Sequence, residues 1–93
     1  IDYDKHRVYV EEQDAGLTQN EFRLLSLLGK YAGKVLTYDY MMKEIWGPNM
    51  KGDNRILRVN MANIRRKIEK NPGQPQFIFT EVGVGYRIIE TDS

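Results

Sequence analysis

Apolar residues recur along the chain at two different periods. Ile1 to Tyr3 and Arg7 to Glu11 are short β-rich pieces separated by Asp-Lys-His, which predicts two antiparallel strands and a tight turn. Asp14-Ala-Gly predicts a further turn. From Thr18 the period becomes helical, with Phe22, Leu25, Leu28 and Ala32 in step and Leu24 alongside. Thr18-Gln-Asn-Glu21 has the form of a capping box, and Leu17 and Phe22 stand where a hydrophobic staple belongs, so a helix starts here. Gly33, suited to left-handed backbone, predicts its end.

Lys34 to Thr37 is short and β-like, and Thr37 can cap a second helix running through Trp46, with Leu36 and Met41 as a second staple. Tyr40 occupies the place of the Glu or Gln that would complete a capping box. Gly47-Pro48 stops this helix, and a polar connector leads to a third, capped by Asp53 or Asn54 and running to about Lys70 before Asn71-Pro-Gly. Phe77 to Val82 and Tyr86 to Ile89 are β-rich runs around Gly83-Val-Gly85, a predicted hairpin. The order strands, three helices, hairpin is an α+β arrangement. A second and third helix joined by a few residues and followed by a hairpin is a winged helix-turn-helix.

Placed at 100° per residue, Leu57, Met61, Ile64 and Ile68 fall within about 60° of one another, the width of a core-facing stripe. Opposite lie Arg55, Val59, Ala62, Asn63, Arg66 and Lys70, flanked by Arg58 and Arg65 on one side and by Asn60 and Lys67 on the other. Arg55 to Lys70 holds six Lys or Arg against the single acid Glu69, a local charge of +5 in a chain whose formal total is +1. A solvated helix face usually mixes signs, because acid–base pairs four residues apart stabilise it and like pairs do not. Here Glu69 can answer only Arg65 or Arg66, and an apolar valine sits among the donors. Such a face suits a DNA major groove, where arginine reads guanine or grips phosphate, asparagine reads adenine and valine meets a thymine methyl. On the hairpin, Thr80, Tyr86 and Arg87 are polar candidates for the flanking groove.

Composition narrows the class. The 93 residues suit one domain, and the 41% hydrophobic and 29% charged content is that of a folded chain with no apolar run of membrane-spanning length. The absence of cysteine excludes disulfides and thiol chemistry and fits a cytoplasmic location. A start at Ile1, with no methionine or lead-in, predicts a fragment of something longer. An enzyme is not expected: the only histidine is His6, in a predicted turn, the serines are Ser26 and Ser93, and no acids cluster at metal-ligand spacing. Gly83-Val-Gly85 lacks the third glycine and following helix of a dinucleotide site. The rival is a winged helix that turns the same basic face on an acidic protein. RNA is disfavoured by its narrow A-form major groove.

LTQNEFRLLSLLGKYAGKVLT, EIWGPN, RVNMANIRRKIE and FIFTEVGVGYRI, in that order and covering almost all of the chain, resemble the OmpR/PhoB family of winged-helix response-regulator output domains. WGPN, the L-R-V-N-M segment and the T-E-V-G-V-G-Y-R wing resemble in particular a potassium-responsive member. The resemblance implies a four-stranded N-terminal sheet, a three-helix core and a C-terminal wing, behind a receiver domain phosphorylated by a sensor histidine kinase, and binding to tandem half-sites on duplex DNA. It carries DNA contacts onto Trp46, Arg55, Val59, Asn60, Asn63, Arg65, Thr80 and Tyr86. Ala62, Asn63 and Val82 depart from it, standing where relatives often carry arginine, which leaves Arg58, Arg66 and Lys67 to take over part of the phosphate binding. The connector from Gly47 to Asp53 matches the loop that contacts RNA polymerase in activators, with Met50 and Lys51 as its candidates. No metal or cofactor is implied.

Overall fold

The core forms where the apolar stripes of three helices meet. The computed structural model describes residues 9–10, 13–48 and 54–90. In it α1 spans Gln19–Lys30, α2 Tyr38–Trp46 and α3 Arg55–Ile68. Leu57, Met61, Ile64 and Ile68 of α3 are buried against Phe22, Leu24, Leu25 and Leu28 of α1 and against Met41 and Met42 of α2. The stripe expected from helical spacing is therefore the stripe that is buried. The expected strand Ile1–Tyr3, His6, Met50, Lys51 and Asp53 lie outside the described residues.

Local capping explains where the helices begin. Thr18 Oγ1 accepts the Glu21 N–H at 3.2 Å and Glu21 Oε1 accepts the Thr18 N–H at 2.9 Å, a complete capping box, while Leu17 packs at the edge of the core. Thr37 Oγ1 accepts the Tyr40 N–H at 3.1 Å, half of the same device, since Tyr40 has no carboxylate to return the bond. At α3 the structure departs from expectation. Asn54 occupies the cap position but makes no side-chain capping bond.

Two helix ends come earlier than their sequence signals. The first helix stops at Lys30 rather than near Gly33, because the chain leaves it to reach the sheet: Gly33, at φ +85°, turns its N–H onto the Ile88 carbonyl at 3.0 Å. α3 stops at Ile68, giving a length of about 21 Å. Glu69 is already extended, at φ −87° and ψ 135°.

Five short strands complete the described fold. β1 (Tyr9–Val10) pairs antiparallel with β2 (Gln13–Asp14), so Asp14, expected in a turn, ends a strand, and the turn follows it with the Gly16 N–H on Asp14 Oδ1 at 2.8 Å. Among the described residues these two strands represent the N-terminal sheet. β3 (Leu36–Thr37), β4 (Ile78–Glu81) and β5 (Gly85–Ile88) form an antiparallel sheet in the order β3-β5-β4. The hairpin is thus widened by a strand that comes from between α1 and α2.

Gly85 makes this third strand possible. It lies opposite Thr37, and a Cβ there would come 1.8 Å from the Leu36 carbonyl oxygen. Gly85→Ala is expected to destabilise the domain by about 2 kcal/mol or more, as overpacking against backbone does, measured by urea unfolding. Gly83→Ala, strained at φ +77° but with no atom within 4 Å of the new carbon, is expected to cost less. Equal costs at the two positions would contradict the role given to the β3–β5 approach.

Candidate nucleic-acid interface

The outward face of α3 is built from residues that the core stripe forces to the surface. Val59 is 59% exposed, Arg55, Arg58, Arg66 and Lys70 are exposed, and Ala62 and Asn63 are half-buried. Arg58 has no ion-pair partner among the described residues. Trp46, at the last turn of α2, is half-buried and packs at the edge of the core.

Tertiary contacts divide the cations into two groups. Lys67, on the flank, donates from Nζ to Glu21 Oε1 of α1 at 2.6 Å and so leaves the outward set. Glu21 is buried, and burial pushes its carboxyl up. The Lys67 hydrogen bond, the Thr18 N–H and the nearby Lys67 charge outweigh that and hold it below the usual value of 4.5. One glutamate therefore caps α1 and anchors α3.

Arg65 is held on the other flank. Its Nη2 donates to the Ile78 carbonyl at 3.2 Å and to Thr80 Oγ1 at 2.6 Å, and its guanidinium stands 5.5 Å from the centre of the Tyr86 ring. Cross-strand pairing places Thr80 and Tyr86 on one face of the sheet, which is why a single arginine reaches both. Tyr86 is buried, its ring meeting Tyr38 edge-on at 5.5 Å between centroids. Burial raises its phenol pKa, Tyr38 adds to the rise, and the charges of Arg65 and Arg58 partly offset it, so the hydroxyl is a neutral donor at ordinary pH. Arg87 turns to the opposite face, 3.3 Å from Glu81 Oε1 and 4.8 Å above the Phe79 ring, and pairs with that acid.

Glu69 does not act as the counter-ion that its spacing suggests. It is buried, and its carboxylate accepts the backbone N–H groups of Gln76 (2.8 Å), Phe77 (3.2 and 3.1 Å) and Ile78 (2.9 Å). These bonds explain why α3 ends at Ile68: the carboxylate is needed at the root of the wing. The only sequence cue was an acid two residues before the Asn71-Pro-Gly loop. The expected residues Arg58, Val59, Asn63 and Arg66 share an open face; Arg65, Thr80 and Tyr86 join the helix to the wing; Lys67 braces α3 against α1. At the tip of the wing Val82 is 90% exposed.

Lys67→Met is expected to destabilise the domain by about 1 to 3 kcal/mol, since it leaves a buried carboxylate without its charged partner. Because Glu21 titrates lower when folded, this stability is complete above 4.5 and is lost as pH falls through the lower folded value, so Glu21→Gln should flatten the acid side of the thermal midpoint against pH. An unchanged acid limb would contradict the pairing. Arg65→Ala is expected to speed amide exchange in β4 and β5 by about tenfold, the loss of roughly 1.4 kcal/mol from hydrogen bonds donated by a charged group. Exchange in α1 serves as the control.

Comparison with known proteins agrees with this arrangement. Residues 12–88 match the family described as "Transcriptional regulatory protein, C terminal". The chain is 38% identical over 89 residues to the KDP operon transcriptional regulatory protein KdpE of Escherichia coli, covering 96% of this chain and 40% of that protein. It is 39% identical over 87 residues to the alkaline phosphatase synthesis regulator PhoP of Bacillus subtilis, covering 94% and 36%. The chain thus spans about two fifths of the length of these relatives. The response regulator DrrB of Thermotoga maritima, an OmpR/PhoB homologue, superposes with TM-score 0.88 at 30% identity over 97% of this chain and 41% of that one. The RstA DNA-binding domain of Klebsiella pneumoniae, in complex with the RstA box, superposes with TM-score 0.87 at 26% identity over 96% and 88%. The family match over most of the chain and the close superpositions agree: the chain belongs to the family of C-terminal transcriptional regulatory domains, the non-enzymatic winged-helix DNA-binding domains of OmpR/PhoB response regulators.

Proposed function

We propose that the chain binds duplex DNA sequence-specifically, with α3 in the major groove and the β4–β5 wing beside it. The observation that carries this reading is the outward face of α3, where Arg58, Val59, Asn63 and Arg66 offer hydrogen-bond donors around an apolar patch with no acid among them. Arg55, Asn60 and Lys70 border that patch, and Arg65, Thr80, Tyr86 and Trp46 hold its frame. Arg58 grips phosphate. Lys67 contributes through the Glu21 brace that fixes the angle of α3. The domain is the output of a two-component response regulator in the cytoplasm, controlled by a receiver domain and its sensor histidine kinase, and it occupies tandem half-sites. Similarity to KdpE supports potassium-transport genes as targets. Met50 and Lys51, in the α2–α3 connector, are proposed to contact RNA polymerase.

Arg58→Ala is expected to weaken binding to every duplex and to flatten the slope of log K against log salt by about 0.9, the release of one phosphate counter-ion. Fluorescence anisotropy across a salt series measures this. A slope equal to that of the unsubstituted chain would remove Arg58 from phosphate binding. Tight binding to an acidic protein with none to any duplex would instead support an interaction module.

A further inference from the structure

The two asparagines bordering the outward face of α3 are committed in opposite ways. Asn60 donates its Nδ2–H to the Ile56 carbonyl one turn earlier, at 2.8 Å, which leaves its Oδ1 open as an acceptor. Asn63 accepts at Oδ1 from Arg66 Nη2 one turn later, which occupies one of that oxygen's two lone pairs and leaves its NH2 to donate. Adenine recognition in the major groove needs both halves of an asparagine amide, the oxygen for N6–H and the NH2 for N7. In Asn63 that oxygen is already turned to Arg66. The guanidinium of Arg66 is a donor with no acceptor. Arg66 thus brings donors alone, beside the NH2 of Asn63, and the base that offers two adjacent major-groove acceptors, N7 and O6, is guanine.

Resting on the DNA-binding reading above, we propose that Asn63 is a positioning residue for Arg66 and that the pair reads guanine, while adenine is left to Asn60. Arg66 is exposed, and a long exposed side chain loses rotamer freedom when it docks on a base. The bond that it donates to Asn63 orders the guanidinium beforehand. It also fixes which way the Asn63 amide faces.

Selection of duplexes from a random pool by the 93-residue chain and by Asn63→Ala, Asn63→Asp and Arg66→Ala tests this, with thermal melts to show that each variant is folded. The unsubstituted chain should select a half-site containing a guanine whose replacement by adenine lowers affinity roughly 5- to 150-fold, the range for one good bidentate contact. That preference should vanish in Arg66→Ala and fall in Asn63→Ala. It should return in Asn63→Asp, whose carboxylate can still accept from Arg66 but has no NH2 for adenine N7. Loss of an adenine preference in both Asn63 variants, with Arg66→Ala retaining the base preferences of the unsubstituted chain, would overturn the proposal while leaving DNA recognition intact. No enrichment by the unsubstituted chain would instead overturn the DNA-binding reading itself.

Discussion

The geometry of the site depends on how α3 is joined to the wing. Glu69 accepts four backbone hydrogen-bond contacts from Gln76, Phe77 and Ile78, and Arg65 bonds the Ile78 carbonyl and Thr80 across the same gap. A charged acceptor and a charged donor therefore hold opposite polar groups at the same stretch of β4. Charge-assisted bonds are shorter and stronger than neutral ones, and those of Glu69 are sheltered from water. Without them the loop at Asn71-Pro-Gly would leave the angle between helix and hairpin free. In the DNA-binding mode proposed above, the two elements fit neighbouring grooves of one rigid ligand and need that angle set beforehand.

The same economy governs the other flank. Glu21 belongs to the capping box of α1, yet its carboxylate also accepts Lys67 from α3. A buried acid is tolerated because both of its roles provide donors. The consequence for function lies in the charge distribution: Lys67 and Arg65 are taken up by the protein itself, and the cations left at the surface of α3 are concentrated on the side away from the core. What reads in the sequence as a broad basic helix is a narrower strip bordered by braces.

Sequence patterning made much of the fold legible. The capping box at Thr18, the cap at Thr37, the end of α2 at Trp46 and the four buried residues of α3 are local or periodic features, and the structure has them where the pattern placed them. Less legible were the ends of α1 and α3. Propensity favours continuing both, but Gly33 bonds Ile88 and Glu69 bonds Ile78 at the root of the wing, residues fifty-five and nine positions away. Pairing of β3 with β5 is of the same kind. Two residues of strand carry almost no periodic signal, and the close approach shows only in the glycine opposite them.

The candidate site divides along the same line. The sequence by itself determined that α3 has one apolar face and one donor-rich face, because helical geometry assigns every residue an angle before any partner is known. It determined the family through motifs in fixed order. Only the tertiary structure decided which donors remain available to a ligand: Lys67 is engaged by Glu21, forty-six residues earlier, and Arg65 by Thr80, fifteen residues later. Such pairings depend on which faces the packed elements bring within about 3 Å, and no spacing along the chain encodes that distance.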